Sequence, residues 1–189
     1  YNDVIHGTVG NNVLNGSAGQ DLLVGYAGAD TLDGGTAGPD YYFDWAGYFT
    51  ASDAVNVNLG AGTATGDVSV GSDTLLNIDG VSGSSYGDTL TGGSNSQWFN
   101  GLKLEWFQGN GGNDTIDGGR GTTAAMDAGN LEINAVRYDS ATTGVTVNLA
   151  TGSASDGVDM DIVTGGMQAG TDTLIGINWA WGSAYNDTL

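Results

Sequence analysis

The stretch "NGSAGQDLLVGYAGADTLDGG" (residues 15–35) states one short pattern twice. Two glycines, an aspartate and a leucine recur nine residues apart, first as Gly16, Gly19, Asp21 and Leu23, then as Gly25, Gly28, Asp30 and Leu32. Glycine and aspartate favour tight turns, whereas a large apolar side chain favours the interior. Each nine-residue unit therefore predicts a turn followed by a short strand whose middle residue points inward.

The acidic position of this unit recurs along the chain. The unit returns in "GSSYGDTLTGG" (83–93), in "GNGGNDTIDGG" (109–119) and in "GSAYNDTL" (182–189). With a one-residue insertion before the fifth, the acidic position is held by Asp3, Asn12, Asp21, Asp30, Asp40, Asp88, Asp114 and Asp187. Self-similarity of this kind is the sequence signature of a repeat architecture.

Two such units are expected to complete one coil, which places Asp3 and Asp21 on one edge of the molecule and Asn12 and Asp30 on the other. One buried apolar side chain per unit stabilises the fold by about 1.5–3 kcal/mol. Fixing each backbone residue costs about 1–2 kcal/mol, so a glycine-rich unit needs a further source of stability. Hard divalent cations, which prefer carboxylate and carbonyl oxygens, are the natural candidates.

A longer repeat overlies the short one. Residues 55–90 parallel residues 145–189, with openings offset by 90 residues and endings by 99. The second copy thus carries nine extra residues, which we interpret as about one short turn. The chain divides into five predicted blocks: a short-repeat block at 1–43, longer β-rich coils at 44–82, a second short-repeat block at 83–126, a second set of longer coils at 127–181, and the start of a further block at 182–189.

Composition excludes several classes of protein. The 189 residues carry 22 acids, only 3 lysines and arginines, and a net charge of −19, which repels nucleic acid and anionic membranes. The absence of cysteine excludes disulfides and thiolate metal sites. No apolar run is long enough to span a bilayer. Both ends fall inside the repeat, and we expect the sequence to be a segment of a longer protein.

The pattern GGxGxDxUx, in which U is a large apolar residue, is that of the RTX (repeats-in-toxin) calcium-binding repeats. The sequence resembles this family most closely at 7–40, 83–93, 109–121 and 182–189. The resemblance implies an all-β fold, a right-handed parallel β-roll or β-solenoid with several Ca²⁺ ions in its turns. In the family, the aspartate and nearby turn carbonyls are the metal ligands.

The resemblance carries this metal-binding role to Asp3, Asn12, Gly16, Gly19, Asp21, Gly25, Gly28, Asp30, Gly34, Asp40, Gly83, Asp88, Gly109, Asp114 and Asp187. Three of these depart from the pattern. Asp3 lacks a preceding turn, Asn12 supplies only a neutral oxygen, and Asp40 follows the inserted residue. At "GGRGTTAAM" (118–126) the acidic position is Thr123, which predicts a weak or absent site or a change of path.

The expected function is calcium-dependent structure. We expect a folding and spacer module of a large secreted bacterial protein, without catalytic activity, that is unfolded at low Ca²⁺ and folds outside the cell. The resemblance implies type I secretion. An adhesin or surface-layer parent is favoured, and the alternative is the C-terminal module of a secreted enzyme or toxin. Expected partners are calcium and either further copies of the chain or a cell-surface glycan.

The candidate catalytic residues do not form a recognisable constellation. His6 is the single histidine, has no second histidine for a zinc site, and follows an inward position, so we expect it to point outward. A calcium-dependent polysaccharide lyase would need a base, and Lys103, Arg120 and Arg137 lie in no cluster. The acid-dense "DGVDMD" (156–161) lacks the spacing of an EF-hand loop, and either binds an extra ion or is a solvated loop.

Tryptophans concentrate in "QWFNGLKLEWF" (97–107) and "NWAW" (178–181). Alternation puts Trp179 and Trp181 on one face of a strand. We favour the interpretation that they pack in the core, with Trp45 closing off the first repeat block in the same way. The alternative is an outward aromatic platform for sugar rings.

Overall fold

The computed structural model describes residues 1–35, 43–93, 98–99, 102–119, 132–160 and 167–189. Every regular element among these residues is a β-strand. The strands form two sheets, and the chain passes from one sheet to the other through glycine-rich turns. This arrangement confirms the all-β solenoid expected from the repeats. Asp40 lies outside the described residues, as do Arg120, Thr123 and Asp161.

Sheet A contains, in spatial order, β1 Val4–His6, β3 Leu22–Val24, β5 Trp45–Gly47, β9 Gly80–Ser82, β12 Leu102–Gln108, β14 Glu132–Arg137 and β18 Trp179–Trp181, with β11 Trp98–Phe99 paired to β12. Sheet B contains β15 Thr146–Asn148, β16 Ser153–Met160, β17 Met167–Ile175, β13 Thr115–Asp117, β10 Thr89–Thr91, β6 Asn56–Asn58, β7 Thr63–Thr65, β8 Ser72–Leu76, β4 Thr31–Asp33 and β2 Val13–Asn15.

The first coils follow the nine-residue repeat directly. β1 pairs in parallel with β3, with Val4 opposite Leu22, and β2 pairs in parallel with β4, with Leu14 opposite Leu32. Partners are therefore 18 residues apart, and two repeat units make one coil, as expected. The middle residue of each three-residue strand points inward because side chains alternate along a strand; Leu23 and Leu32 are completely buried.

One core runs through the molecule between the two sheets. Its members are the inward residues of successive coils, which stack on one another in register. Sheet A contributes Leu23, Ala46, Val81, Phe107 and Val136, and sheet B contributes Leu14, Leu32, Leu75, Val57, Leu90, Ile116 and Leu174. The division into five blocks stays a prediction, because the core is continuous across the described coils.

The solenoid is not parallel throughout, which corrects one expectation. The longer coils contain two antiparallel meanders, β6–β7–β8 and β15–β16–β17. The first turn of each meander, between β6 and β7 or between β15 and β16, contains a glycine, Gly62 or Gly152, with a φ of +67°. The nine extra residues of the second copy extend the β16–β17 hairpin and add no coil. Residues 156–160 of the acid-dense segment accordingly lie in β16.

Candidate metal-binding turns

A row of polar residues runs along each sheet, two positions before most of the inward core residues; Val55 and Val145 take this place before Val57 and Val147. We call these rows the carboxylate ladder. On the sheet A edge it comprises Asp3, Asp21, Asp44, Asp79, Glu105, Asn134 and Asn178, and on the sheet B edge Asn12, Asp30, Asp73, Asp88, Asp114, Asp172 and Asp187.

Ladder side chains hold successive coils together. Asp21 Oδ1 accepts a hydrogen bond from the Asp3 backbone N–H at 2.8 Å, and Asp30 Oδ1 accepts one from the Asn12 N–H at 2.7 Å. The same bond from a preceding coil reaches the carboxylates of Asp44, Asp73, Asp79, Asp88, Asp114, Asp172 and Asp187. The two edges expected for Asp3 with Asp21 and for Asn12 with Asp30 are thus confirmed.

The second carboxylate oxygen has no protein partner at two of these positions. Asp21 and Asp30 are 1% and 2% exposed, and within the described residues the Oδ2 atom of each is buried without a hydrogen bond. Burial raises the pKa of Asp30 above its usual value. A buried charged oxygen left unpaired costs about 1–3 kcal/mol or more. A cation beside these oxygens removes that cost.

Glycine makes room for such a cation. A Cβ added to Gly16 or Gly25 would overlap the Oδ2 atom of the aspartate five residues later in the same turn. The Gly16 position also faces the Gly34 carbonyl oxygen, 2.7 Å from where that Cβ would lie. The turn therefore gathers a carboxylate oxygen and a carbonyl oxygen from the next coil around a space without side chains. These are the donors that Ca²⁺ prefers.

The backbone of these turns includes positive φ angles, which glycine adopts more readily than other residues. Gly19 and Gly28 have φ values of +143° and +137°, and each lies against the backbone of the preceding turn on its edge. The turn at 109–114 repeats this winding, with Asn110 at +70° and Gly112 at +112°. An added Cβ at Gly109 would likewise overlap Asp114 Oδ2, so this turn has the same cradle.

Two predicted sites, at Asp88 and Asp187, have a different geometry. Ser84 donates to Asp88 from both its hydroxyl, at 2.7 Å, and its backbone N–H, at 2.6 Å. Ser183 donates its hydroxyl to Asp187 Oδ1 at 2.6 Å. Gly83 still faces the Asp88 carboxylate. Both oxygens of Asp88 are nevertheless engaged by protein donors, which weakens its fit to a cation.

The departures noted in the sequence have structural counterparts. Asp3 is exposed and offers its backbone to Asp21. The Asn12 side-chain oxygen accepts from the Thr8 N–H at 2.6 Å. The ladder position after the insertion is held by Asp44, 5% exposed, whose carboxylate accepts from the Asp21 N–H. Gly34 faces this aspartate across its turn.

Sequence reasoning missed four ladder aspartates: Asp44, Asp73, Asp79 and Asp172. Burial raises the pKa of both Asp44 and Asp73 to about 6, with neighbouring carboxylates adding to the effect. A signal for two of them was present in the sequence. The triplet Asp-Thr-Leu of the short repeats recurs at residues 73–75 and 172–174.

Farther along the sheet A edge the ladder changes chemistry. Glu105 is fully buried and accepts from the Gly93 N–H at 2.9 Å. The Asn134 amide donates to the Gly118 carbonyl at 2.8 Å. An amide N–H thus engages a turn carbonyl of the kind that faces the cradle at Gly16. These coils are closed by side chains of the protein itself.

The tryptophans of β18 point outward, so the preferred core interpretation was wrong for them. Trp179 and Trp181 are 45% and 55% exposed. They flank Trp106 at ring distances of 6.1 and 6.2 Å, and the Arg137 guanidinium lies 5.6 Å from the Trp106 ring. We call this surface of Trp45, Trp106, Arg137, Trp179 and Trp181 the aromatic face. His6 also points outward, as expected, and its ring bonds the Tyr26 hydroxyl at 3.0 Å.

Within the described ranges, no three histidine, aspartate or glutamate side chains converge as a metal cluster, so any bound ion relies on backbone carbonyls beside its carboxylates. None of the described residues form a helix that is long and apolar enough to cross a membrane.

Comparison with known proteins agrees with the geometry of the turns. The family model for the RTX calcium-binding nonapeptide repeat (4 copies) matches residues 6–38 and 105–122. Those segments contain the glycine cradles at Gly16, Gly25 and Gly109, whereas the serine-filled turns lie outside them. No curated protein matches the chain. RTX repeats bind calcium, and the two matched segments of the chain are therefore RTX calcium-binding repeats.

Proposed function

We propose that the chain is a calcium-dependent structural module of a secreted protein, with ions held in the turns at 16–21, 25–30 and 109–114. The observation that carries the proposal is the buried, unpartnered Oδ2 atom of Asp21 and of Asp30, each aimed into a glycine turn. A divalent cation there would bond the carboxylate and the carbonyls of adjacent coils at once.

Charge supports the same conclusion. The chain carries a net charge of −19, and the ladder concentrates carboxylates along two narrow edges. Repulsion among these carboxylates opposes the compact folded state. Each bound Ca²⁺ would offset two negative charges where they are densest. Metal binding is then coupled to folding, as in other small metal-dependent folds.

The test compares two aspartates that differ in burial. Asp30→Asn keeps the shape of the side chain and removes the charge from a cradle, and Asp53→Asn does the same on the exposed surface. We expect Asp30→Asn to lose one bound ion in calorimetric titration with CaCl₂ and Asp53→Asn to lose none. Equal stoichiometry in the wild type and Asp30→Asn would refute ion binding at this turn.

The cellular setting follows from the coupling. Extracellular calcium modules typically bind at about 10⁻⁴–10⁻³ M. A module in that range would stay loose at cytosolic calcium and fold after export, which suits type I secretion. We further propose that the module has no catalytic activity of its own and belongs to an adhesin or surface-layer protein. Arg137, one candidate base, is paired with Asp139.

The aromatic face favours a binding role in such a parent. Beside it lies a depression of about 360 Å³ whose lining includes Trp45, Phe49, Gln108, Asn110 and Arg137. Aromatic rings next to amide and guanidinium donors suit the apolar faces and hydroxyls of sugar rings. A cell-surface glycan is therefore the partner that we propose for this face.

A glycan array probed with the wild type and with the double variant Trp179→Ala/Trp181→Ala tests this role. We expect the variant to keep its thermal midpoint and to lose glycan binding. Val13→Ala changes an exposed apolar side chain of sheet B and should leave both unchanged. If the wild type binds no glycan and the double variant has a lower thermal midpoint, the two tryptophans contribute to packing and the proposed binding role is refuted.

A further inference from the structure

Two tyrosines occupy positions that glycine holds elsewhere. The glycine directly after a sheet A strand bonds the neighbouring strand through its N–H in two turns, Gly7 to the Val24 carbonyl and Gly83 to the Gln108 carbonyl, both at 2.8 Å. Tyr48 makes the same bond to Ser82 at 2.8 Å, and Tyr138 makes it to Trp181 at 3.0 Å. At these two turns a large side chain therefore enters where the other turns have none.

Each tyrosine hydroxyl donates a hydrogen bond to the second oxygen, Oδ2, of a ladder aspartate. The Tyr48 hydroxyl donates to Asp73 Oδ2 at 3.1 Å, and the Tyr138 hydroxyl donates to Asp172 Oδ2 at 2.8 Å. The other oxygen of Asp73 accepts from the Asp30 N–H at 3.0 Å. Both carboxylate oxygens of Asp73 thus have protein donors, in contrast to those of Asp30.

The two tyrosines are built into their coils in the same way. Both are 3% exposed, and the carbonyl of each accepts a hydrogen bond from the residue three positions later, Ala51 or Ala141. Burial and the adjacent carboxylate raise the pKa of Tyr48 well above its usual value, which keeps the hydroxyl protonated as a donor. Tyr48 and Tyr138 lie 90 residues apart, the same offset that separates the openings of the two long-repeat copies at residues 55 and 145.

We propose that Tyr48 and Tyr138 take the place of the calcium ion at these two turns, so that the longer coils fold without metal. This inference rests on the proposed function, because it contrasts these turns with metal-binding ones. The tyrosine side chain fills the cradle and supplies the hydrogen bond, and so it determines which turns of this edge bind calcium. The longer coils then form metal-independent segments beside the calcium-dependent short repeats.

Amide hydrogen exchange of the full chain, with 10-fold excess EGTA or with saturating CaCl₂, tests the inference. In EGTA we expect residues 43–82 to stay protected while residues 3–35 exchange rapidly. Equal loss of protection in both segments overturns the inference. If calcium fails to protect residues 3–35, the proposed function itself is refuted, so the two failures are distinguishable.

Two variants sharpen the test. Tyr48→Phe removes the donor to a buried carboxylate but keeps the ring in the cradle, so exchange of 43–82 should rise about tenfold or more in both conditions. Tyr48→Gly empties the cradle; calcium should restore its protection and bind with one additional ion. Tyr1→Phe, which loses a fully exposed hydroxyl, is the matched control. Unchanged exchange in Tyr48→Phe, or unchanged stoichiometry in Tyr48→Gly, would overturn the inference.

Discussion

The turns at 25–30 and 83–88 have the same spacing from glycine to aspartate. They differ in whether the protein supplies hydrogen-bond donors to both oxygens of the carboxylate. In the first, Asp30 Oδ2 is buried and faces a glycine cradle that no side chain fills. In the second, Ser84 fills the turn with two donors to Asp88. The matched RTX family model includes the first turn and not the second. Spacing alone therefore marks the position of a turn, and whether donors of the turn itself reach both carboxylate oxygens decides whether the turn needs a metal.

Removing the Asp88 carboxylate should cause the largest change in the free energy of unfolding. Asp88→Ala leaves the N–H groups of Val55 and Ser84 unpaired inside the protein. We expect a loss of about 3 kcal/mol in the free energy of unfolding. Because these donors belong to the protein, urea titrations with EGTA and with CaCl₂ should give the same loss. A loss confined to the calcium series would make this turn a metal site after all.

Placing a side chain in the Gly25 cradle should have the next largest effect. Gly25 does not have a positive φ, so Gly25→Ala strains no backbone and places a methyl group against Asp30 Oδ2. We expect calcium binding at this turn to weaken at least tenfold, or about 1.4 kcal/mol.

Gly10→Ala is the control for that variant, because an added Cβ there meets nothing within 4 Å. Calorimetric titration with CaCl₂ should leave this control indistinguishable from the wild type. Equal affinities for both variants would show that the space at Gly25 holds no ion.

A smaller effect is expected at the serine. Ser84→Ala removes the hydroxyl that donates to Asp88 and accepts from the Tyr86 N–H, and it keeps the backbone N–H bond to Asp88. The expected loss is about 1 kcal/mol, the same with and without calcium. Ser72→Ala changes an exposed strand residue and should cost less than 0.5 kcal/mol, as surface substitutions typically do. Urea midpoints measure both, and a larger loss at Ser72 would contradict the assignment.

A further effect is expected on the pH dependence of stability in EGTA. Burial raises the pKa of Asp73 and of Asp88 from 3.8 to about 6. Between about pH 4 and 6 the folded state then binds more protons than the unfolded state, so stability falls as the pH rises through this range.

Thermal midpoints in EGTA should therefore decrease from pH 5 to pH 7. With CaCl₂ the trend should reverse, because metal binding requires deprotonated carboxylates. A midpoint in EGTA that increases over this range would contradict the raised pKa values.

The repeat predicted much of the fold because its physics is local. A turn residue at Asp21 and an apolar residue at Leu23 determine where the chain bends and which side chain is buried. The same spacing, with the inward residue two positions after the ladder residue, applies to Asn178 and Ala180. It predicts that Ala180 points inward and that Trp179 and Trp181 point outward. The size of the tryptophans suggested the opposite.

Other features depend on partners that the sequence does not reveal. Apolar residues alternate at Val55, Val57 and Leu59 and again at residues 145, 147 and 149. This alternation indicates strands but gives no pairing direction, so the antiparallel meanders were not foreseen. The insertion before Asp44 shifted the ladder beyond what nine-residue counting follows. Tyr48 interrupts the glycine pattern when read alone, and only its contact with Asp73, 25 residues away, gives it a role.

The ladder bonds all run in one direction. In each, the backbone N–H comes from the coil nearer the N-terminus and the carboxylate from the coil nearer the C-terminus, as in the bond from Asp88 to Asp114. Peeling coils from the C-terminal side therefore strips a carboxylate from the remaining edge at every step and leaves a bare amide. Peeling from the N-terminal side leaves a bare carboxylate, which water solvates well and calcium can still bridge. The solenoid is thus a mechanically polar rod, with unequal resistance to unravelling from its two ends.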